Sequence, residues 1–94
     1  MFLEELLSIV YWVQWIIMSI KVRYFASLKE SLGRSEDELT FTRLLTAREV
    51  WNCANPGKPL PGNSLVAINM DYVELDNPVK DGDEVAFFPP VTGG

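Results

Sequence analysis

The sequence has no histidine and a single cysteine, Cys53. Without histidine, no side chain has an ordinary pKa close to neutrality. A lone thiol cannot close an internal disulfide and suits a reducing compartment, so a cytoplasmic location is expected. With no histidine beside it, neither a Cys/His nucleophile pair nor a usual zinc set can be assembled, and no metal is expected. Cationic residues are also scarce: Lys and Arg total 8 against 13 Asp and Glu, a net charge of −5. Such a chain has no electrostatic basis for gripping phosphates by counterion release, which argues against nucleic acid as a partner. A basic protein surface is the better complement. The carboxylates are scattered, with no spacing that suggests an acid/base pair. There are no internal repeats, linkers or low-complexity tracts. As a stand-alone enzyme the chain is poorly equipped.

What is present amounts to one small domain with two unusual ends. The 94 residues are 48% hydrophobic and 22% charged, an ordinary globular balance. Residues 1–18 differ in kind: Phe2-Leu3, Leu6-Leu7, Ile9 to Val13 and Trp15 to Met18 are apolar around nearly every side of a helix. The uninterrupted apolar run between Ser8 and Gln14 falls short of the ~20 residues a membrane span needs. A secretory signal fits poorly, because Glu4 and Glu5 stand where positive charge belongs and no small-residue cleavage site follows. The expectation is that translation begins at Met18 and that the upstream residues come from an earlier start. A genuine hydrophobic helix, for anchoring or self-association, is the alternative. A membrane is not the expected partner.

From Ser19 to Phe88 the pattern is that of a folded unit. Ile20-Lys21-Val22-Arg23-Tyr24 alternates apolar and charged, the period of a strand with one covered face. Ser27 is expected to open a short helix carrying Leu28 and Leu32, with Gly33 as its terminator. Arg34 to Asp37 reads as a loop, and Glu38 to Thr42 as a strand burying Leu39 and Phe41 and pairing antiparallel with the first. Thr46-Ala47-Arg48-Glu49 has capping-box spacing, so a helix should begin at Ala47. Its apolar stripe is Ala47, Val50, Trp51 and Ala54, ended by Asn55-Pro56-Gly57. Cys53 reads as a partly buried helix residue without a redox role. Lys58 to Asn63 is a loop and Leu65 to Ile68 a central strand. Asn69-Met70-Asp71 turns the chain back into Tyr72-Val73-Glu74. Asn77-Pro78 and Asp81-Gly82-Asp83 are turns, and Glu84 to Phe88 is the last strand. That order predicts an α+β domain with helices on one face of a mixed sheet.

The chain then ends in Pro89-Pro90-Val91-Thr92-Gly93-Gly94. Two prolines lack an N–H and hold φ near −65°, so this arm leaves the domain stiff and extended. Two glycines give a tip with no side chain, able to enter a channel too narrow for a Cβ. At about 3.1–3.6 Å per residue the arm spans roughly 20 Å. A terminus of this form suggests that the Gly94 carboxylate is itself the reactive group.

Specific strings carry a resemblance. Ile68-Asn69, Asp81-Gly82-Asp83-Glu84-Val85-Ala86 and Phe87-Phe88-Pro89-Pro90-Val91-Thr92-Gly93-Gly94, with Val22-Arg23-Tyr24-Phe25-Ala26 near the start, closely resemble the molybdopterin synthase small-subunit family. The likeness covers about Ser19 to Gly94, although Thr42 to Ser64 carries no family motif. It implies a ubiquitin-like β-grasp fold, with four to five strands and two to three helices on one face. Three regions follow: an extension over 1–18, a β-grasp domain over 19–88 and a Gly-Gly tail over 89–94. The resemblance further implies a sulfur carrier, a sulfur-donating subunit without catalytic groups of its own. In that role Gly94, at a tip shared with Gly93, is adenylated by an E1-like enzyme that uses ATP and is converted to a thiocarboxylate. It then gives sulfur to a cyclic pyranopterin monophosphate on a large catalytic subunit, in molybdenum cofactor biosynthesis. No cofactor is expected to be bound by this chain itself.

Docking is expected through Phe88 and Tyr72, whose positions resemble the family's hydrophobic contact patch, and through the arm Pro89, Pro90, Val91 and Thr92. Adjacent strand residues point to opposite faces, so one of Phe87 and Phe88 should be outside, and Phe88 is the candidate. The acidic residues Asp81, Asp83 and Glu84 read first as a solvated turn and second as a steering patch for a basic partner. A ubiquitin-like modifier conjugated through Gly94 uses the same activated carboxylate and is the alternative function. A membrane-anchored interaction domain would leave the tail unexplained.

Overall fold

A computed structural model describes residues 18–90. Residues 1–17 and 91–94 lie outside it, and with them the expectations placed on the extension and on Val91, Thr92, Gly93 and Gly94. Along the chain run β1 (Ser19–Tyr24), α1 (Ala26–Leu32), β2 (Glu36–Thr40), β3 (Leu45–Thr46), α2 (Ala47–Ala54), β4 (Leu65–Ile68), β5 (Asp71–Val73), β6 (Pro78–Val79) and β7 (Glu84–Phe88). Five of the strands form a mixed sheet in the order β2-β1-β7-β4-β5, and β3 with β6 makes a separate two-stranded ribbon. The central pair β1 and β7 is parallel, while β2, β4 and β5 join antiparallel. Because β1 and β7 run the same way, the start of β1 and the end of β7 lie at opposite poles of the sheet.

Alternation decides which side of the sheet is covered. Ile20, Val22 and Tyr24 of β1, Val66 and Ile68 of β4, and Val85 and Phe87 of β7 point inward. They meet Leu28 of α1 and Val50 and Trp51 of α2 in one core. Trp51 is its centre: 2% exposed, edge-on to Tyr24 at 5.8 Å and to Phe87 at 5.2 Å. An aromatic side chain of this kind buries on the order of 150–250 Å². Its one polar atom is satisfied, since Nε1 donates to the Lys58 carbonyl at 2.7 Å.

Helix α2 starts where its capping box predicts. The Glu49 amide donates to Thr46 Oγ1 at 3.2 Å, and the Thr46 amide donates to Glu49 Oε1 at 2.9 Å. The Thr46 amide and Arg43, 3.3 Å away, hold the Glu49 carboxyl below its usual range. The helix ends at buried Asn55, which belongs to a polar cluster against the core. Tyr24 donates its hydroxyl proton to Asp37 at 2.7 Å and accepts from Asn55 Nδ2 at 3.1 Å. Arg34 Nε donates to the same Asp37 oxygen at 2.7 Å, and Nη2 donates to the Ala54 carbonyl at 3.1 Å and to Asn55 Oδ1. Burial first, and then the Asp37 carboxylate, push the Tyr24 phenol up to about 12.

Several local details differ from the sequence reading. β2 occupies Glu36–Thr40 rather than following a loop through Asp37. Asp37 is paired opposite Val22 and faces inward, where Tyr24 and Arg34 replace its water. Helix α1 starts at Ala26, with Phe25 as its N-cap and no side-chain cap, so Ser27 lies inside the first turn. Gly33 closes it at φ 73°, as expected of a left-handed terminator. The ribbon of β3 and β6 had no periodic signal, being two residues per strand. Cys53 is exposed rather than partly buried. It stands two positions beyond Trp51, about 200° around a helix of 3.6 residues per turn.

Candidate functional site

The site begins with strand parity at the end of β7. Phe87 is fully buried, stacked on Tyr24 at 6.4 Å, whereas Phe88 points out of the other face and is partly exposed. On that outer face, Leu65 pairs opposite Phe88, Ala67 opposite Ala86, and Tyr72 opposite Ala67. The two alanines leave the middle of the face low. Tyr72, 69% exposed, leans across to Phe88 with ring centroids 5.9 Å apart. The two residues singled out for docking are thus brought together.

A third ring completes the platform, and the sequence reading did not assign it to docking. Phe25 stacks on Phe88 at 4.7 Å and 9° between planes. Its backbone amide donates to the Phe87 carbonyl at 3.2 Å, which continues the β1–β7 ladder beyond β1 itself. The Arg23 guanidinium lies 5.4 Å from the Phe25 ring centre and 3.6 Å from the Glu84 carboxylate. The signal was available, because Arg23 and Phe25 share the outward parity opposite Val22 and Tyr24. The outcome is a row Phe25–Phe88–Tyr72 with a cation at one end, the aromatic and arginine composition typical of an interface anchor.

Pro89 and Pro90 follow at once, both half-buried, and neither has an N–H for a ladder. Pairing with β4 therefore stops at Leu65–Phe88, and the chain leaves the sheet from the edge of the platform. The acidic turn sits at the other pole. Asp83 accepts from the Lys80 amide and from Asn69 Nδ2, both at 2.8 Å, and Asp81 accepts from the amides of Met18 and Ser19. These carboxylates are occupied in holding the turn together. Among the described residues, no three His, Cys, Asp or Glu side chains are grouped to hold a metal, and no helix is long and apolar enough to cross a membrane.

A β-grasp sheet with helices on one face, an aromatic platform uncovered by the described residues on the other, and Pro89-Pro90 leading the chain off its edge define a ubiquitin-like architecture. The chain belongs to the ThiS family, whose profile matches residues 22–94. A Haemophilus influenzae protein named molybdopterin synthase sulfur carrier subunit is 64% identical over 82 residues, covering 80% of this chain and 99% of that protein. The crystal structure of SAMP1 from Haloferax volcanii superposes with a TM-score of 0.65 at 25% identity, covering 81% of this chain and 99% of that one. A chain from the complex of subunits 1 and 2 of the Helicobacter pylori molybdopterin-converting factor gives a TM-score of 0.57 at 27% identity, covering 82% and 100%.

Proposed function

We propose that this chain is the sulfur carrier subunit of a molybdopterin synthase, acting through the carboxylate of Gly94. The observation that carries the reading is the position of the Phe25–Phe88–Tyr72 platform at the root of the arm. A protein that grips the platform receives the arm at a fixed point and in a fixed direction. The name of the 64% identical Haemophilus relative supports the chemistry, and the Helicobacter complex of subunits 1 and 2 supports a second subunit as partner, which in this reading is the large catalytic one.

A carboxylate is a poor electrophile, so an activating enzyme of the E1 type is required. Attack of the Gly94 carboxylate on the α-phosphorus of ATP expels pyrophosphate and makes an acyl-adenylate. A persulfide sulfur on that partner displaces AMP, and reduction of the resulting acyl disulfide by a thiol frees the thiocarboxylate. The sulfur is then a soft nucleophile at neutral pH without help from a titrating side chain, consistent with a sequence that has no histidine. On the large subunit it forms a C–S bond with the cyclic pyranopterin monophosphate as a carbon–oxygen bond of that substrate breaks. Water then cleaves the acyl–sulfur bond of the resulting thioester, leaving sulfur on the pterin and returning the carboxylate. This chain supplies the handle and the arm, and the acid/base groups and phosphate ligands reside on the partners. A cytoplasmic location follows from the chemistry of thiols and persulfides.

The test is the intact mass of the protein after incubation with ATP, the activating enzyme and a sulfur donor. It should rise by the difference between one sulfur and one oxygen. The likeness to SAMP1, a small archaeal modifier protein, keeps a second reading in view. An unshifted mass together with conjugates on the lysines of other proteins would establish that reading instead.

A further inference from the structure

At the pole opposite the platform, one carboxylate oxygen holds the first two backbone nitrogens of the described chain. Met18 N lies 2.6 Å and Ser19 N 2.9 Å from Asp81 Oδ1. Their carbonyls are taken as well: the Phe41 amide donates to Met18 O at 2.7 Å and the Gly82 amide to Ser19 O at 2.9 Å. Met18 is therefore woven into the sheet end although it precedes β1. Its φ is 73°, in the left-handed region that a residue with a Cβ seldom adopts. That angle is defined by the preceding peptide, so the strain exists only while residue 17 is attached. An anionic oxygen shared by two adjacent nitrogens is better matched to an ammonium, whose charge-assisted bonds are the stronger kind.

We infer that Asp81 is the binding site for the α-ammonium group of a chain that begins at Met18 or, once an initiator methionine is removed, at Ser19. Both nitrogens lie within reach of the same oxygen, and Ser19 is small enough for such excision. Asp83, the other carboxylate of the turn, is occupied by the Lys80 amide and Asn69, which leaves Asp81 as the acceptor. The extent of the likeness agrees. The Haemophilus relative is matched over 99% of its length yet covers 80% of this chain, and the family match starts at residue 22. The core itself runs from Ile20 to Phe87, so residues 18–94 contain the whole of it. None of this depends on the sulfur-carrier reading, and the tests below do not touch the tail.

Two chains test it, residues 1–94 and residues 18–94, each with Asp81 and with Asp81→Asn. Asparagine keeps a carbonyl acceptor and removes the charge. The substitution should lower the thermal midpoint of the shorter chain by at least about 2 °C more than that of the longer one. Acetylating the α-amine of the shorter chain should erase the excess. Equal losses in the two chains would overturn the assignment, because Asp81 would then serve only peptide N–H groups. The intact mass of the protein from its own cells gives an answer that needs no variant. It should correspond to a start at Met18 or Ser19, and a mass that includes residues 1–17 would reject the proposal.

Discussion

Phe87 and Phe88 are neighbours of identical chemistry, and the two faces of one sheet give them opposite tasks. Phe87 points into a layer of valine, isoleucine, tyrosine and tryptophan and is completely buried. Phe88 points out over Ala67 and Ala86, and what covers its ring is two other partly exposed aromatics. The inner face is closed by this chain's own helices, whereas the outer face has no cover within the described residues. Apolar surface left open where the chain leaves the sheet is a cost to solubility that a partner's surface would remove. The lesson is that parity, not residue type, separates stability from recognition at this strand.

The largest effect should come from the far end of the arm. Deleting Gly94, or adding a residue after it, should abolish sulfur transfer in an assay of molybdopterin formation, with the thermal midpoint unchanged. An extended-tail variant that still made product would sink the proposal that the Gly94 carboxylate carries the sulfur. On the inner face, Phe87→Ala should cost about 3–5 kcal/mol in denaturant unfolding. Against a total of about 5–15 kcal/mol for a small domain, that is enough to leave the protein marginal.

The matching change one residue on should split the other way. Phe88→Ala should cost less than about 1 kcal/mol of stability, since its ring is partly exposed and loses mainly a stacked pair. Binding to the large subunit should weaken by about 2 kcal/mol, roughly thirtyfold. Calorimetry on both variants checks the pair. If Phe88→Ala unfolded the protein as readily as Phe87→Ala, the distinction between the faces would fail.

A smaller effect is set by pH on the inner face. The Tyr24 hydroxyl is held at about 12, above its ordinary value near 10. A proton is thus bound more tightly in the folded state, so the contribution is present below about pH 10 and lost as pH rises from there towards 12. Alkaline unfolding monitored by circular dichroism should show this decline. Tyr24→Phe should lack it, while being less stable at neutral pH because Asp37 and Asn55 each lose one of their partners.

Much of this was readable in the residues, for reasons that also mark where reading stopped. Alternation in Ile20 to Tyr24 and in Glu84 to Phe88 found the two central strands, and the spacing of Thr46 and Glu49 found the start of α2. Phe25 was missed as part of the platform because it lies one residue past β1, where ladder bonding to Phe87 continues without a strand signal. The start of β2 was missed because Asp37 breaks the apolar period, and only the fold brings Tyr24 and Arg34 to satisfy it. The ribbon pairing Leu45 with Val79 is too short for any period and joins segments far apart in the chain. The expectations placed on Gly93 and Gly94 fall outside the described residues.

The smallest predicted effect tests the part of the inner layer that sequence spacing specified best. Thr46→Ala removes the side-chain oxygen that accepts from the Glu49 amide and leaves a first-turn donor without its partner. The loss should be about 1 kcal/mol in denaturant unfolding. Because Glu49 also bonds back to the Thr46 amide and meets Arg43, Glu49→Gln should cost less, keeping the bond and losing the charge. Glu49 titrates below its usual value in the fold, so its contribution holds above the ordinary carboxylate range and fades as pH falls through the lowered value. Neither change reaches the outer face, and both variants should bind the large subunit as tightly as the parent. A docking defect in Thr46→Ala would mean that α2 and the platform are coupled through the sheet, and that the two faces do not act separately.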